Sequence, residues 1–291
     1  MPSAVEIGVL VRQAKPEDAA ICGQICYDAF STLNRKFGFP CDFPVPEAPI
    51  QILTGLFSHR HFYCVVAEAD GRLIGSNCLD ERSTICAVGP ITVDPATQNR
   101  GVGRTLMKAV LGRAEEQGAP GVRLVQAGFH CRSLSLYASL GFVVREPLAC
   151  MQGRTTQREV PGCTVRPATR LDVDACNALS LRVHGFSRGG ELADTLRQGV
   201  AVVVEREGRI TGYASALAFF GHATAETNVD LQALIASAES FGGPGILVPT
   251  RNSALFAWCL ANGLRMEQPL TLMSIGLYNE PAGAWLPSIL F

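Results

Sequence analysis

The sequence predicts a protein of the α/β (α+β) fold class, built from two tandem copies of one domain. Short β-branched, apolar runs alternate with longer segments whose apolar residues recur at helical spacing. Three segments of the first half return in the same order in the second half, which is typical of a duplicated domain. The 291 residues suffice for two domains of ordinary size.

Composition excludes several classes of function. A chain that is 47% hydrophobic and 18% charged is a packed globular protein, and its net charge of -1 predicts neither a nucleic-acid nor a membrane partner. The first residues lack the basic region of a signal peptide. The eleven cysteines are odd in number and form no CxxC pair, so we expect free thiols in a reducing cytoplasm, without disulfides or a metal site. Those we expect to be buried in apolar segments are Cys22, Cys26, Cys64, Cys86, Cys176 and Cys259.

The residue patterns of the first half predict a series of strands and helices. They are a strand at 10–12, a helix opening at Pro16, an aperiodic loop over 31–49, a hairpin over 61–80, a strand at 88–93, a helix ending near Gly118, a strand at 122–126, a helix over 133–140 and a strand from Phe142. The hairpin turns at Asp70-Gly71, a strong turn signal between two strand-like runs.

The turn between the strand at 88–93 and the following helix is suited to binding an anion. It contains Gly101 and Gly103, which let the backbone approach a ligand, and it precedes the unpaired amides of a helix start. Arg100 and Arg104 add positive charge. A tight turn with solvated arginines explains the glycine spacing equally well. A dinucleotide-binding turn would need a third glycine where Leu106 stands, and no Gly-Lys-Ser/Thr follows as in a phosphate-binding loop.

Two motifs in this half carry a family resemblance. Gln98-x-x-Gly101-x-Gly103, after a Val-Asp-Pro strand end, resembles the acyl-CoA-binding motif of the GNAT acetyltransferase superfamily. The segment Ser133 to Phe142 resembles the next block of that superfamily, with its tyrosine and Gly-Phe. The resemblance covers about residues 7–155. It implies two GNAT-like domains, each a mixed, mostly antiparallel sheet flanked by helices, and an N-acetyltransferase that uses acetyl-CoA as acyl donor, without a metal.

The resemblance also implies the site residues. Those implied to bind the acyl donor are Ile91, Val93, Gln98, Asn99, Arg100, Gly101, Val102, Gly103, Arg104, His130, Ser133 and Tyr137. The Val93 amide would polarise the thioester, and Tyr137 would protonate the leaving thiolate as general acid. Without the resemblance, Tyr137 would be interpreted as a packing residue. His130 stands where the family often has asparagine, which makes it a weaker candidate.

The general base and the acceptor are less well defined. Glu81 is slightly preferred as catalytic base over Asp80 and Glu68, and the family often uses a water chain instead. The acceptor would be a small-molecule or peptide amine. Candidates for lining its pocket are Phe37, Phe39 and Phe43, which would otherwise simply anchor an irregular loop. A homodimer is compatible with the sequence.

The second half is predicted to be a degenerate copy. The segments 165–176, 205–212 and 254–264 match 11–22, 68–75 and 133–142, which places the domains at 1–155 and 163–291. Cys259 stands in place of Tyr137, and no Gly-x-Gly precedes the helix that follows Glu226. We therefore expect a structural or substrate-shaping role, the alternative being a site built from other residues. Two other functions stay open for the whole chain: transfer from another acyl-CoA, or a non-catalytic CoA-binding sensor or interaction module.

Overall fold

The computed structural model describes residues 8–156 and 159–290. The order of strands and helices in its second half resembles that in its first, with one strand fewer before the central helix and one more at the end. The first half consists of β1 Leu10–Gln13, α1 Ala19–Phe37, α2 Glu47–Ser58, β2 Phe62–Ala69, β3 Arg72–Asp80, β4 Cys86–Val88, β5 Thr92–Val93, α3 Val102–Glu116, β6 Gly121–Ala127, α4 Cys131–Ser139 and β7 Val143–Gly153. The second consists of β8 Thr164–Pro167, α5 Val173–His184, α6 Gly189–Gln198, β9 Val202–Arg206, β10 Arg209–Ala214, β11 Ala223–Ala225, α7 Asn228–Ser237, β12 Ile246–Pro249, α8 Ser253–Ala261, β13 Leu264–Gly276 and β14 Ala284–Leu286. The predicted α/β fold with a repeated domain is confirmed.

Each half begins with an ion-pair triad of one arginine, one aspartate and one glutamate, and the two triads match. Arg12 donates from Nη1 to Asp18 Oδ2 over 2.7 Å, and Arg166 donates from Nη1 to Asp172 Oδ2 over 2.8 Å. Each arginine also donates from Nε to a glutamate on a neighbouring strand. These glutamates are Glu68 on β2 and Glu205 on β9. The duplication therefore extends to individual hydrogen bonds.

The described chain forms two compact units. Unit 1 contains the described residues up to Glu81 together with Cys86–Val122. Its sheet has the order β1-β2-β3-β4, with β5 also paired to β3. Helices α1 and α2 pack together, and α1 and α3 pack on the strands. The hairpin β2–β3 turns at Asp70-Gly71 as predicted, with φ angles of 52° and 71°.

Unit 2 contains Arg82–Ile85 and the described chain from Arg123 onward. One of its sheets runs β6-β13-β7-β12, and the other runs β14-β11-β10-β9-β8. Strand β13, from the second half, thus lies between β6 and β7 of the first, with Leu270 opposite Leu148. Because this pairing joins strands from both halves, the compact units differ from the sequence halves. The domain division at 1–155 and 163–291 stays a prediction, and residues 1–7, 157–158 and 291 lie outside the described chain.

The predicted long loop over 31–49 is wrong at both ends. Helix α1 continues to Phe37 and α2 begins at Glu47, so the connection is much shorter. Gly38, with φ of 74°, ends α1, and the buried Asn34 donates from Nδ2 to the Pro40 carbonyl over 2.7 Å. The glycine and the asparagine side chain together define a helix end that hydrophobic periodicity alone does not show.

The three phenylalanines of this region have different surroundings. Phe43 packs edge-on against Phe30 with centroids 5.7 Å apart, as expected of a residue that anchors the loop. Phe37 is 44% exposed and Phe39 is half-buried. The pocket-lining role stays a prediction.

The six cysteines singled out from the sequence are all buried, and the cysteines of the described chain are free thiols. Burial raises the pKa of several of them, which disfavours the reactive thiolate. Within 8–156 and 159–290, no helix is both long and apolar enough to cross a membrane.

Candidate active site

The predicted site residues belong to both compact units. Unit 1 contains Glu81, Ile91, Val93 and the segment 98–104, whereas unit 2 contains His130, Ser133 and Tyr137.

The predicted central strand is interrupted by a β-bulge. Ser76 pairs with Thr92 and Leu79 pairs with Val88. Two residues lie between Ser76 and Leu79, whereas three lie between Val88 and Thr92. The strand opposite β3 therefore carries one extra residue between β4 and β5. Bulges of this kind end regular pairing and redirect the backbone, and they recur beside active sites. The predicted continuous strand at 88–93 is therefore two short strands.

The register of β5 against β3 sets the orientation of the Val93 backbone. The Asp94 amide donates to the Ile74 carbonyl over 2.9 Å. Since hydrogen-bonded and non-hydrogen-bonded pairs alternate in an antiparallel ladder, the Val93 N–H and C=O face away from β3. The Val93 carbonyl accepts a hydrogen bond from Gln98 Nε2 over 3.1 Å. Gln98, the first residue of the predicted motif, thereby fixes the loop to the end of the strand.

The segment 98–104 forms the start of α3. Gly101 is the N-cap, with φ of 83°, a conformation that favours glycine, and a Cβ there would meet no atom within 4 Å. The Thr105 amide donates to the Gly101 carbonyl, so the amides of the three preceding helical residues lie before the first helical hydrogen bond. The first turn contains no acidic side chain, and Arg100 and Arg104 are exposed. An anionic group fits the charge and space at this helix end.

The other group lies on α4, which begins after His130. Ser133 Oγ lies 3.0 Å from Gln126 Oε1 and 3.0 Å from the His130 carbonyl oxygen, and its single hydroxyl proton can be donated to either. His130 is half-buried, and its side chain makes no cap hydrogen bond to α4. Ser133 thus connects the start of α4 to the strand β6 beside it.

Tyr137 lies one turn after Ser133 on α4 and is 6% exposed. Its ring packs edge-on against Phe142, with centroids 6.2 Å apart. Burial raises the pKa of the Tyr137 phenol above its usual range. The phenol therefore stays protonated at physiological pH, which is the state that a proton donor needs.

Gln126 on β6 is a polar residue of this region that the sequence analysis missed. It is 6% exposed, and its Nε2 has no hydrogen-bond partner among the described residues. A buried donor left without a partner costs free energy, so it suggests a partner that the protein binds. The available signal was a glutamine in a strand whose other residues, apart from Arg123, are apolar or glycine.

Glu81, the preferred base, is held by Arg113 through two hydrogen bonds of 2.7 and 3.2 Å. The alternative Glu68 belongs to the Arg12 triad. Asp80 is 8% exposed at the end of β3. The catalytic role of Glu81 stays a prediction.

The corresponding positions of the second half differ chemically. Helix α7 starts at a capping box, in which the buried Asp230 accepts hydrogen bonds from Thr227 and pairs with Arg206 over 2.8 Å. A carboxylate therefore occupies the helix end where an anion would bind. Cys259 is the seventh residue of α8 just as Tyr137 is of α4, and it is fully buried. No group of His, Cys, Asp and Glu residues within the described chain is arranged to hold a metal ion.

Comparison with known proteins identifies the domain type. Residues 27–142 match the model of the acetyltransferase (GNAT) family. No curated protein matches the chain significantly. A crystal structure of a proposed acetyltransferase from Pyrococcus horikoshii has a TM-score of 0.71 and 18% identity, covering 98% of this chain and 96% of that one. A GCN5-related N-acetyltransferase from Sphaerobacter thermophilus has a TM-score of 0.61 and 16% identity, covering 94% and 96%. At these identities the solved structures show the fold.

Proposed function

We propose that this chain, whose residues 27–142 form a GNAT acetyltransferase domain, transfers an acetyl group from acetyl-CoA to a primary amine. The observation that carries the proposal is the open, acid-free start of α3, preceded by a strand whose Val93 amide faces away from β3. The fold is compatible with other acyl-CoA donors, and a donor panel distinguishes them.

In this proposal, unit 1 holds and polarises the donor. The amides of Val102, Gly103 and Arg104 bind the pyrophosphate, and Arg100 adds charge. Backbone groups of Ile91 and Val93 pair with the pantetheine arm. The Val93 amide donates to the thioester oxygen, where negative charge develops as the amine attacks.

Tyr137 completes the transfer as general acid. Attack of a neutral amine on the thioester carbonyl forms the amide bond and breaks the bond to sulfur. The Tyr137 phenol gives its proton to the departing thiolate, because burial keeps that phenol protonated. Ser133, and with less support His130, would contact the pantetheine arm.

Glu81 accepts the amine proton, directly or through water. Both of its oxygens already accept hydrogen bonds from Arg113, so proton transfer competes with that ion pair. The second half, with Asp230 at its helix start and Cys259 in place of tyrosine, serves a structural role in this proposal.

Calorimetric titration with acetyl-CoA tests the proposal. We expect one site per chain. Gly101→Asp should raise Kd at least tenfold, because it places a negative charge and a strained backbone at the anion site. Gly112→Asp, in the same helix and with open space around it, is the matched control and should bind normally. Normal acetyl-CoA binding by Gly101→Asp would refute the anion site at the start of α3. Two acetyl-CoA sites per chain would refute the prediction that the second half is a degenerate copy.

Turnover separates the enzyme from a CoA-binding module. Release of free thiol with a panel of amines supports transfer. Tight acetyl-CoA binding without turnover on any amine would instead support a sensor.

A further inference from the structure

The connection that carries Tyr137 meets a strand of the second half at both of its ends. Within unit 2, Gly128 leads from β6 into α4, and Gly141 leads from α4 into β7. Consecutive strands are usually neighbours in a sheet, but here β13 lies between β6 and β7. In the same way, β7 lies between β12 and β13, the two strands that α8 connects. The two halves of the sequence therefore exchange their long strands.

The first contact with β13 lies at the start of this connection. The Gly128 amide donates to the Pro269 carbonyl over 2.8 Å. A Cβ at Gly128 would lie 3.2 Å from the same carbonyl oxygen, so the glycine lets the two backbones approach closely. The His130 amide then donates to the Ala127 carbonyl, and α4 begins at Cys131. Strand β13 thus fixes the point from which α4 begins.

The second contact with β13 lies at the end of α4. Gly141 has φ of 96°, a conformation that favours glycine, and a Cβ there would lie 3.2 Å from Ile275 Cδ1. Ser274 pairs with Val143, which places Ile275 beside the residues that lead into β7. Arg145 Nε also donates to Ser274 Oγ over 2.8 Å, which ties the same end of β13 to β7.

The residues on either side of Gly141 hold Tyr137. The Tyr137 carbonyl accepts hydrogen bonds from the amides of Leu140 and Phe142 over 3.0 and 3.1 Å. The Phe142 ring packs edge-on against the Tyr137 ring. Because these contacts flank Gly141, a displacement of Gly141 would move both the backbone and the ring of Tyr137. The side chain of Ile275 therefore lies where it can set the position of the phenol.

We propose that β13, a strand of the second half, positions Tyr137 for proton transfer, with Ile275 as the positioning residue at the end of α4. The inference rests on the proposed acid role of Tyr137. An acid must lie within hydrogen-bond reach of the atom that it protonates, and a displacement of about 1 Å can lower the rate about 100-fold. The second half, whose own helix α7 starts at the buried Asp230, thus contributes a strand to the transfer site of the first half.

A double-mutant cycle in the full chain tests whether Ile275 acts through Tyr137. Ile275→Ala should lower kcat about tenfold and leave the Kd for acetyl-CoA within twofold. In Tyr137→Phe, the same substitution should lower kcat less than twofold further, because the hydroxyl that Ile275 positions is absent. If Ile275→Ala does not fold, Ile275→Val removes only Cδ1, the atom nearest to Gly141, and should lower kcat about threefold.

Ile210→Ala is the matched control. Ile210 lies on β10 and, like Ile275, is partly buried, but it packs in the core cluster around Cys176 and Leu179. Its truncation removes the same atoms and should leave kcat within twofold, with or without the Tyr137 hydroxyl.

Amide hydrogen exchange tests the contact between β13 and α4 without any turnover. The amides of Leu140 and Phe142 donate to the Tyr137 carbonyl, so their exchange reports how firmly the end of α4 is held. Ile275→Ala should speed their exchange at least tenfold, and Ile210→Ala should leave it unchanged.

Unchanged exchange at Leu140 and Phe142 in a folded Ile275→Ala, or an equal loss of kcat with and without the Tyr137 hydroxyl, would overturn the proposal. A large loss of kcat in Tyr137→Phe together with wild-type kcat in Ile275→Ala would overturn the positioning role alone. Wild-type kcat in Tyr137→Phe would refute the proposed acid, and the positioning role with it.

Discussion

Arg113 holds Glu81 through two hydrogen bonds, from Nε to Oε1 over 2.7 Å and from Nη2 to Oε2 over 3.2 Å. The Arg113 Cζ also lies 5.2 Å from the Tyr63 ring centroid, so the guanidinium is positioned from two sides. The ion pair is partly buried, with the Glu81 side chain 17% exposed. A carboxylate engaged in this way can serve as a base or simply as a structural partner, and substitutions on the two sides of the pair distinguish these roles.

We expect Glu81→Gln to lower kcat about 100-fold, the usual magnitude for a general base. Arg113→Met removes the partner but leaves the carboxylate, so its kcat should fall only a few-fold. Both variants break the same partly exposed ion pair and should lose a similar, small stability, about 1 kcal/mol or less. Steady-state kinetics at saturating acetyl-CoA and thermal melts measure both effects. Equal losses of kcat in the two variants would show that the pair is structural.

For Tyr137→Phe, we expect kcat to fall by at least 100-fold, because the proton donor is removed while the ring stays packed against Phe142. The Kd for acetyl-CoA should change less than twofold. Ser135→Ala removes an exposed hydroxyl from the same helix and serves as the control.

The pH dependence of the wild type provides a second check on this residue. Because burial raises the pKa of Tyr137, an acid role predicts no loss of kcat from this group up to about pH 10, the usual phenol value. An unchanged kcat in Tyr137→Phe would remove the acid assignment.

Local rules explain which parts of the fold the sequence predicts well. The hairpin β2–β3 and the start of α3 depend on residues that adopt positive φ, Asp70-Gly71 and Gly101, and these are visible in the sequence itself. The Arg12 and Arg166 triads also lie in segments that the repeat comparison aligned.

Long-range pairing explains what the sequence does not predict. Strand β13 pairs with β7, which precedes it by more than a hundred residues, and no local pattern selects that partner. The end of α1 was missed because it depends on the Asn34 side chain and on Gly38 rather than on periodicity. The partner of Glu81 likewise arises only from folding.

The triad of the second half predicts an acid-dependent loss of stability. Asp172 accepts hydrogen bonds from Arg166 and Thr169, and chiefly the Arg166 bond lowers the pKa of Asp172. A carboxylate with a lowered folded-state pKa contributes stability above its unfolded value of about 3.9, and the contribution is lost as pH falls below it. Asp172→Asn should therefore destabilise the protein by about 2 kcal/mol at pH 7 and by less at pH 3.

Urea unfolding at the two pH values measures this difference. Asp174→Asn, at an exposed position in the first turn of α5, is the control and should change stability little at either pH. A destabilisation by Asp172→Asn that is equal at pH 7 and pH 3 would contradict the ionic origin of the effect.

Gln126 offers a test in which stability and activity should change in opposite directions. Its buried Nε2 lacks a partner among the described residues, so Gln126→Met should raise the free energy of unfolding by about 1 kcal/mol. If that amide donates to a bound substrate, the same variant should raise KM for acetyl-CoA or for the amine at least fivefold. Ser135→Ala removes an exposed hydroxyl that donates to the Cys131 carbonyl on the same helix, and as the control it should leave both stability and KM little changed. Sites that bind ligands typically sacrifice stability for function, so a substrate-binding amide should show both changes. A more stable Gln126→Met protein with unchanged kinetics would show that the amide binds no substrate.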